Sequence, residues 1–399
     1  MLGANKIMVQ HSVSSSNVFV ISSDDVEEID EVIFGSFDWT KLSLAEQDVL
    51  RSRFVTQSFM WHVNNCRSYS TYVKSLLGDD VDLSDLSMVE IPQIPVSIFK
   101  QHNVMSVPEE NVTHSFTSSG TSGTKSIIHR DDVTLQRLCG PMSTSNPLLN
   151  SLLEGFDEEH AFIINLGPDR EQADNVWFSY VMALVEQVAP MRSYLNNNKI
   201  DFLEVCSDLE KSLNFYDHVL LVGAPFLVYD FVKYLQKQDC RIEGGQKLSI
   251  FTGGGWKLRA RESLEPKDFR SVVKEYLGIC SEEQLRDAFN QVELNTIIFE
   301  CSFHHMHVPP WLHVFARDPF TFDPYYGDQE GVLCYLDASA NSFPCFIISD
   351  DLGRVFSGKC QCGIEGRWVS ISRRLHSAPH QGCAQAIDGL LTEKTEELS

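Results

Sequence analysis

The sequence predicts an α/β fold whose later third is dominated by strands. Three observations carry that expectation. Segments with helical apolar spacing alternate with short continuous apolar runs, and no internal repeat is visible. From Val308 to Val355 the runs become strand-like and are separated by turns such as Tyr326-Gly-Asp328. No low-complexity linker divides the 399 residues, of which 43% are hydrophobic and 11% aromatic, enough for a large core. A chain of this length ordinarily folds as two or three domains.

The elements follow in order. Residues 44–77 read as largely helical, opened by a capping box of Ser43 and Glu46 and closed by Gly78. Residues 91–99, punctuated by Pro92 and Pro95, read as an extended approach to a polar loop. Residues 160–166 predict a buried strand, and 175–187 an amphipathic helix capped by Asn175. A strand over 219–223, a helix over 225–236 and a strand over 248–252 come next. Residues 282–289 predict a helix leading into the apolar run 292–300.

Composition excludes several classes. No apolar run approaches the roughly 18 residues a membrane span needs. Residues 1–25 are polar and serine-rich, without the basic start and long apolar stretch of a secretory signal. Eleven scattered cysteines in such a chain point to the reducing cytoplasm, with thiols serving chemistry or metal rather than disulfides. The net charge of −23, from 32 basic and 55 acidic residues, argues against nucleic acid as a partner. Any nucleotide site must therefore be locally positive or rich in hydrogen-bond donors.

The run Thr117-Ser-Ser-Gly-Thr-Ser-Gly-Thr-Lys-Ser126 is the most informative segment: seven hydroxyls, two glycines and a lysine. Glycines allow close backbone approach, while hydroxyls and N–H groups can donate to phosphate oxygens. Its spacing is not that of a Walker loop, because only two residues separate Gly120 from Gly123 and Thr124 precedes Lys125. Phe251-Thr-Gly-Gly-Gly-Trp256 follows an apolar strand, so bare backbone can face a flat ligand with Trp256 as a wall; a tight turn with a buried tryptophan is the simpler alternative. Glu293, in Phe289-Asn-Gln-Val-Glu293, is a carboxylate placed to hold Mg²⁺ beside phosphates or, more simply, a hydrogen-bonded strand-end residue. In Ile347-Ile-Ser-Asp-Asp-Leu-Gly353 a strand delivers carboxylates into a turn, where Asp351 could accept two ribose hydroxyls. Cys301 and His307 with Cys360 and Cys362 make a Cys₃His zinc pattern, with His304, His305, and the set Cys360, Cys362, His376 and His380 as rivals and unligated core cysteines as the simpler alternative.

In this order, these segments resemble the adenylate-forming (acyl-activating) superfamily. They are closest to the acyl-protein synthetases of bacterial bioluminescence fatty-acid reductase complexes, the LuxE type. The resemblance runs from about Trp61 to Asp388, through Asn165-Leu-Gly-Pro-Asp169, Asn175-Val-Trp177, Phe289 to Asn295, His307-Val-Pro-Pro-Trp311, Asp337-Ala-Ser339 and Gly382-Cys-Ala384. Glu300-Cys301 to His307 and Cys360-Gln-Cys362-Gly363 are similar to the zinc-binding segments of the phenylacetate–CoA ligase branch, which implies His307 as the fourth ligand.

The resemblance implies a fold: the large multi-subdomain N-terminal portion of an acyl-CoA synthetase over residues 1–371. A short C-terminal arm, 372–399, stands where relatives carry a domain with a catalytic lysine. It implies that Ser118, Ser119, Gly120, Thr121, Ser122, Gly123, Thr124 and Lys125 cradle the ATP phosphates and that Glu293 binds Mg²⁺. Gly253, Gly254, Gly255 and Trp256 would line adenine and acyl-adenylate, Asp351 would hold ribose, and the four Cys/His residues a structural Zn²⁺. Cys383 matches the acyl acceptor. Arg373, Arg374, His376 and His380 lie upstream of it, a basic setting that favours thiolate. The implied activity is ATP-dependent fatty acid–protein ligation within a hetero-oligomer containing an acyl-CoA-reductase-type partner. An acyl- or aryl-CoA ligase and a non-catalytic acyl-binding subunit are the alternatives. Two departures stand out: no proline precedes the loop lysine, and Ile371-Ser-Arg-Arg374 replaces the usual acidic hinge.

Overall fold

The computed structural model of the chain describes residues 28–374, except 36, 119–124, 143–145, 154–155, 157–158, 174 and 198. A six-stranded sheet has the order Met191–Ser193, Ala161–Asn165, His218–Gly223, Leu248–Gly253, Leu285–Phe289, Ile298–Phe299. The first five strands run parallel and the last antiparallel. Every residue of Leu248–Gly253 is buried, as a parallel strand covered on both faces requires. Side chains alternate between two cores. Ile164, Leu221 and Ile250 face the helices Phe202–Phe215, Pro225–Lys237 and Pro266–Leu277, whereas Ile163, Leu220, Val222 and Phe251 face the larger core. Asn165, Gly223, Gly253 and Phe289 end their strands, so the polar and glycine-rich segments noted above gather at the carboxyl edge, where open α/β sheets bind ligands.

A second sheet is antiparallel, in the order Met306–Val308, Glu365–Arg374, Phe346–Lys359, Gly331–Asp337, Leu312–Arg317; Ile94–Pro95 joins Phe346–Lys359 in parallel. The helix Leu44–Asn65 crosses it, its Arg51 Nε donating to Leu312 O at 2.8 Å and Gln47 Nε2 to Glu365 O at 2.6 Å. The third unit is a hairpin, His114–Thr117 with Ile127–Arg130. Among the described residues no helix is long and apolar enough to cross a membrane.

Several local expectations change. The helix over 44–77 is two helices, Leu44–Asn65 and Arg67–Leu77, broken at Cys66 (φ −109°, ψ 101°). The bend brings the Tyr69 and Tyr72 hydroxyls to the Pro92 and Gln93 carbonyls at 2.7 and 3.0 Å. The Ser43–Glu46 capping box and Gly78 cap are as expected. Residues 91–99 give only the strand Ile94–Pro95 and then a 3₁₀ turn, Val96–Lys100.

The predicted helix over 282–289 is one 3₁₀ turn, Glu282–Gln284, followed by a strand. Gln284 closes that turn and donates to Gly245 O and Leu248 O at 2.8 and 2.7 Å, which leads the next residues into pairing with Ile250–Gly253. Residues 175–187 split into Trp177–Ala183 and a 3₁₀ turn. Asn175 is not the cap; its carbonyl accepts from Thr117 N at 2.8 Å instead. Asp351 lies within the continuous strand Phe346–Lys359 rather than a turn. There Gly353 permits a register shift, since a Cβ would sit 2.4 Å from Ser370 O.

Candidate active site

The hairpin closes the polar loop at its base. Ser118 N donates to Ser126 O and Ser126 N to Ser118 Oγ, both at 3.1 Å. Lys125 is exposed beside this closure. Ser119, Gly120, Thr121, Ser122, Gly123 and Thr124 lie outside the described residues, as do His376, His380 and Cys383.

Gly253 ends its strand, and Gly254 and Gly255 turn back with φ of 76° and 61°. A Cβ on Gly254 would meet the Phe178 ring at 2.1 Å, whereas one on Gly255 would meet open space. Trp256 is not a wall of the pocket beside this turn: it packs edge-on against Tyr229 and Phe269, both at 5.7 Å, on the helical side of the sheet. Trp177 and Phe178 form the wall, with Met182, Phe251, Ala288, Ile297 and Phe299, around a cavity of about 40 Å³. A second apolar cavity of about 20 Å³ adjoins it across Val185, Phe251 and Phe299 and reaches Leu149, Leu152 and Leu153. Asn290 is the amide side chain in the lining of the first cavity.

Asn290 opens the turn that carries Glu293. Its Nδ2 donates to Leu294 O (3.1 Å) and Thr296 O (2.9 Å), and its Oδ1 accepts from Trp177 Nε1. Asp337, at the end of Gly331–Asp337, accepts from Asn295 N at 3.1 Å, Thr296 N at 2.6 Å and Thr296 Oγ1 at 2.9 Å. Burial nevertheless pushes the Asp337 carboxyl above its ordinary range, against the donors from Ser339 and Thr296. The Cys345 thiol donates to Glu293 O at 3.0 Å, and Glu293 itself is buried. From the hairpin, buried Arg130 donates to Val292 O at 2.6 Å. Asp351 is buried in its strand near Tyr335, whose ring stacks on Phe289 at 6.1 Å. The hairpin, glycine turn, Glu293 turn and Asp351 strand thus meet around one carboxyl edge.

Cys301, His307, Cys360 and Cys362 converge separately, their donor atoms all within 4.8 Å of one another. Cys301 Sγ to Cys360 Sγ is 3.9 Å and Cys362 Sγ to His307 Nε2 is 3.4 Å. A zinc tetrahedron with ordinary bond lengths has edges of about 3.5–3.8 Å, so the donor set fits that ion. Burial pushes His307 down to about 4 and Cys362 up to about 12, the latter helped by the neighbouring thiols. Neutral imidazole is the ligating form, and clustered thiolates need a cation. His305 Nδ1 lies 3.1 Å from Cys360 Sγ and its ring stacks on Trp368, an outer contact to the sulfur. His304 turns instead to Glu300 Oε2 at 3.3 Å.

Sequence reasoning overlooked Arg130, Asn290, Asn295 and the pocket walls Trp177 and Phe178. Asn290 and Asn295 sit inside a segment already singled out. Arg130 carries no local signal, because a lone cation after Ile127-Ile128-His129 looks like a strand end.

Comparison with known proteins agrees with this layout. A family model described as Acyl-protein synthetase, LuxE, matches residues 11–392. The chain is 35% identical over 393 residues to a long-chain-fatty-acid–luciferin-component ligase of Aliivibrio fischeri, covering 98% of this chain and 100% of that one. It is 37% identical over 371 residues to the Vibrio harveyi protein of the same name, covering 92% and 95%. A crystal structure of 2-hydroxyisobutyryl-CoA ligase superposes with a TM-score of 0.62 at 13% identity, over 84% of this chain and 76% of that one, a likeness of fold. The two sheets and their connecting hairpin are therefore the adenylate-forming ligase architecture, and the chain belongs to the LuxE acyl-protein synthetase family.

Proposed function

We propose that this enzyme activates a long-chain fatty acid with ATP and transfers the acyl group to its own Cys383. The observation that carries the reading is the pair of adjoining apolar cavities, the first lined in part by the glycine turn and by Asn290, which opens the Glu293 turn. The lining is apolar, as an acyl chain requires, and the carboxylate of a chain that opened it would lie at the polar carboxyl edge. In the first half-reaction a carboxylate oxygen attacks the α-phosphorus of ATP and pyrophosphate leaves. In the second the Cys383 thiolate attacks the acyl carbon of the mixed anhydride and AMP leaves, giving a thioester.

Residues 118–125 would hold the phosphates by backbone N–H groups, hydroxyls and the Lys125 ammonium. Glu293 would hold Mg²⁺, which when bound offsets phosphate charge. Gly253 to Gly255 would face the adenylate and Asp351 the ribose. The Cys₃His set would hold a structural Zn²⁺. We further read residues 1–371 as the catalytic domain and 372–399 as the arm, although the strand Glu365–Arg374 continues through that boundary. Arg374 pairs with Asp351, and Cys383 is nine residues further along (383 − 374 = 9), at most about 30 Å of extended chain. That tether supports acylation within one molecule. Family resemblance supports a cytoplasmic hetero-oligomer with an acyl-CoA-reductase-type partner that takes up the acyl group.

The test is labelling with radioactive fatty acid, ATP and Mg²⁺. Wild type should carry a hydroxylamine-sensitive thioester; Cys383→Ser should lose it yet keep acid-dependent ATP–pyrophosphate exchange, because activation precedes thiol attack. A label retained in Cys383→Ser, or wild-type transfer only to free coenzyme A, would replace this reading with that of an acyl-CoA ligase.

A further inference from the structure

Arg130 ends the strand that leaves the phosphate-loop hairpin, and its side chain is fully buried. Taking a guanidinium out of water is costly unless its donors and charge are met. Among the described residues no carboxylate lies within ion-pairing distance of it. Nη2 instead donates to Val292 O at 2.6 Å and, at the limit of a hydrogen bond, to Leu294 O at 3.5 Å. These carbonyls flank Glu293. Nε donates to Asn295 Oδ1 at 3.2 Å. The guanidinium also lies on the Trp177 indole, Cζ 3.6 Å from the ring centroid. Trp177 donates to Asn290, which grips Leu294 O and Thr296 O. The contacts close a ring: hairpin cation, Glu293 turn, Asn290, pocket wall, and back to the cation. Glu293 and Asp337 are close enough to oppose the effect of burial on the guanidinium.

An apolar side chain would fill this space without the desolvation cost. A lysine would keep the charge, but as a point donor it cannot bond the turn while lying flat on an indole. We propose that Arg130 is a positioning residue for acid activation: it sets the Glu293 carboxylate for the divalent cation and registers that turn against the Trp177 wall of the acyl pocket. The proposal rests on the reading of Glu293 as the Mg²⁺ residue.

The experiment measures acid-dependent ATP–pyrophosphate exchange by the full-length protein at saturating ATP over a range of free Mg²⁺. Without fatty acid, and hence without turnover, it also measures Mn²⁺ binding to the protein–ATP complex by electron paramagnetic resonance. Arg130→Lys should weaken that binding about tenfold, and its persistence at wild-type strength overturns the proposal. Glu293→Gln comes first and should lose most exchange; full activity there overturns the Mg²⁺ reading, and this proposal with it, before Arg130 is touched. Arg130→Lys should raise the half-saturating free Mg²⁺ about tenfold, with the KM for ATP changed less than about threefold. In the Glu293→Gln background, Arg130→Lys should add no further loss, because both changes remove one function. An unchanged Mg²⁺ requirement in Arg130→Lys, or losses that multiply in the double variant, overturns the proposal while leaving the Glu293 reading intact. Should Arg130→Lys fail to fold by near-ultraviolet circular dichroism, Asn295→Ala removes the acceptor of Nε and takes its place. A raised Mg²⁺ requirement then supports the proposal, and a wild-type one overturns it.

Discussion

His62 is fully buried, with Nδ1 2.7 Å from Ser106 Oγ and Nε2 3.2 Å from Ala340 O. Burial pushes it down to about 3. His313 is buried beside Arg51 and Arg367 and is held well below the ordinary range, first by burial and then by those cations. The sign follows from linkage. As pH falls below about 6.5 the unfolded chain takes up a proton at each position and the folded chain does not, so stability present above that pH is lost. Each histidine should cost on the order of 2 kcal/mol between pH 7 and pH 5. Urea unfolding at the two pH values measures the change, and His62→Gln should lack the His62 share of the loss, about 2 kcal/mol. A change between pH 7 and pH 5 that is the same in His62→Gln and wild type would show that His62 contributes none of it. At the same scale, Lys125→Ala and Glu293→Gln should each cut pyrophosphate exchange by a factor corresponding to about 3–4 kcal/mol of transition-state stabilisation, with unchanged melting. Full exchange in either variant takes that residue out of the site.

At the scale of elements, the glycine turn tests whether pocket shape or backbone freedom matters more. Gly254 and Gly255 both have positive φ, so alanine strains either backbone by roughly 1–2 kcal/mol. Only at Gly254 would the new Cβ collide with a side chain, Phe178 of the pocket wall. Gly254→Ala should therefore reduce exchange at least tenfold or raise the KM for fatty acid to that extent, and Gly255→Ala should stay within a few-fold of wild type. Identical kinetics for the two variants would show that only the backbone counts. Strand endings and glycines were legible here because period and punctuation are local properties. The segment 282–289 was not legible: its spacing suits a helix, and pairing with Leu248–Gly253 decides otherwise.

At the scale of the whole molecule, the Cys₃His set links two sheets. Cys301 follows Ile298–Phe299, the last strand of the mostly parallel sheet. His307 lies in an edge strand of the antiparallel sheet, and Cys360 and Cys362 lie in the turn between its two longest strands. A zinc ion there would tie the layers together, so purified protein should contain about one zinc per chain. Chelation should lower the melting temperature by several degrees and reduce exchange only as the fold loosens. Metal-free protein that melts at the same temperature as untreated protein would exclude a structural ion.

The sequence by itself determined the α/β class, the strand-rich later third, the capping box at Ser43 and the family, because each depends on residue order along a short stretch or on a long ordered series of motifs. It also identified Glu293, Asp351 and the four metal-pattern residues as side chains worth testing, and it singled out the segment containing Asn290 and Asn295. Only the tertiary structure decided that Trp177 and Phe178 rather than Trp256 wall the pocket and that Arg130 grips the Glu293 turn. Arg130 lies more than 160 residues from the carbonyls it bonds. How Trp256 packs depends on Tyr229 and Phe269, which lie on two different helices. Such choices are made by the burial of distant segments against one another, and no local pattern encodes them.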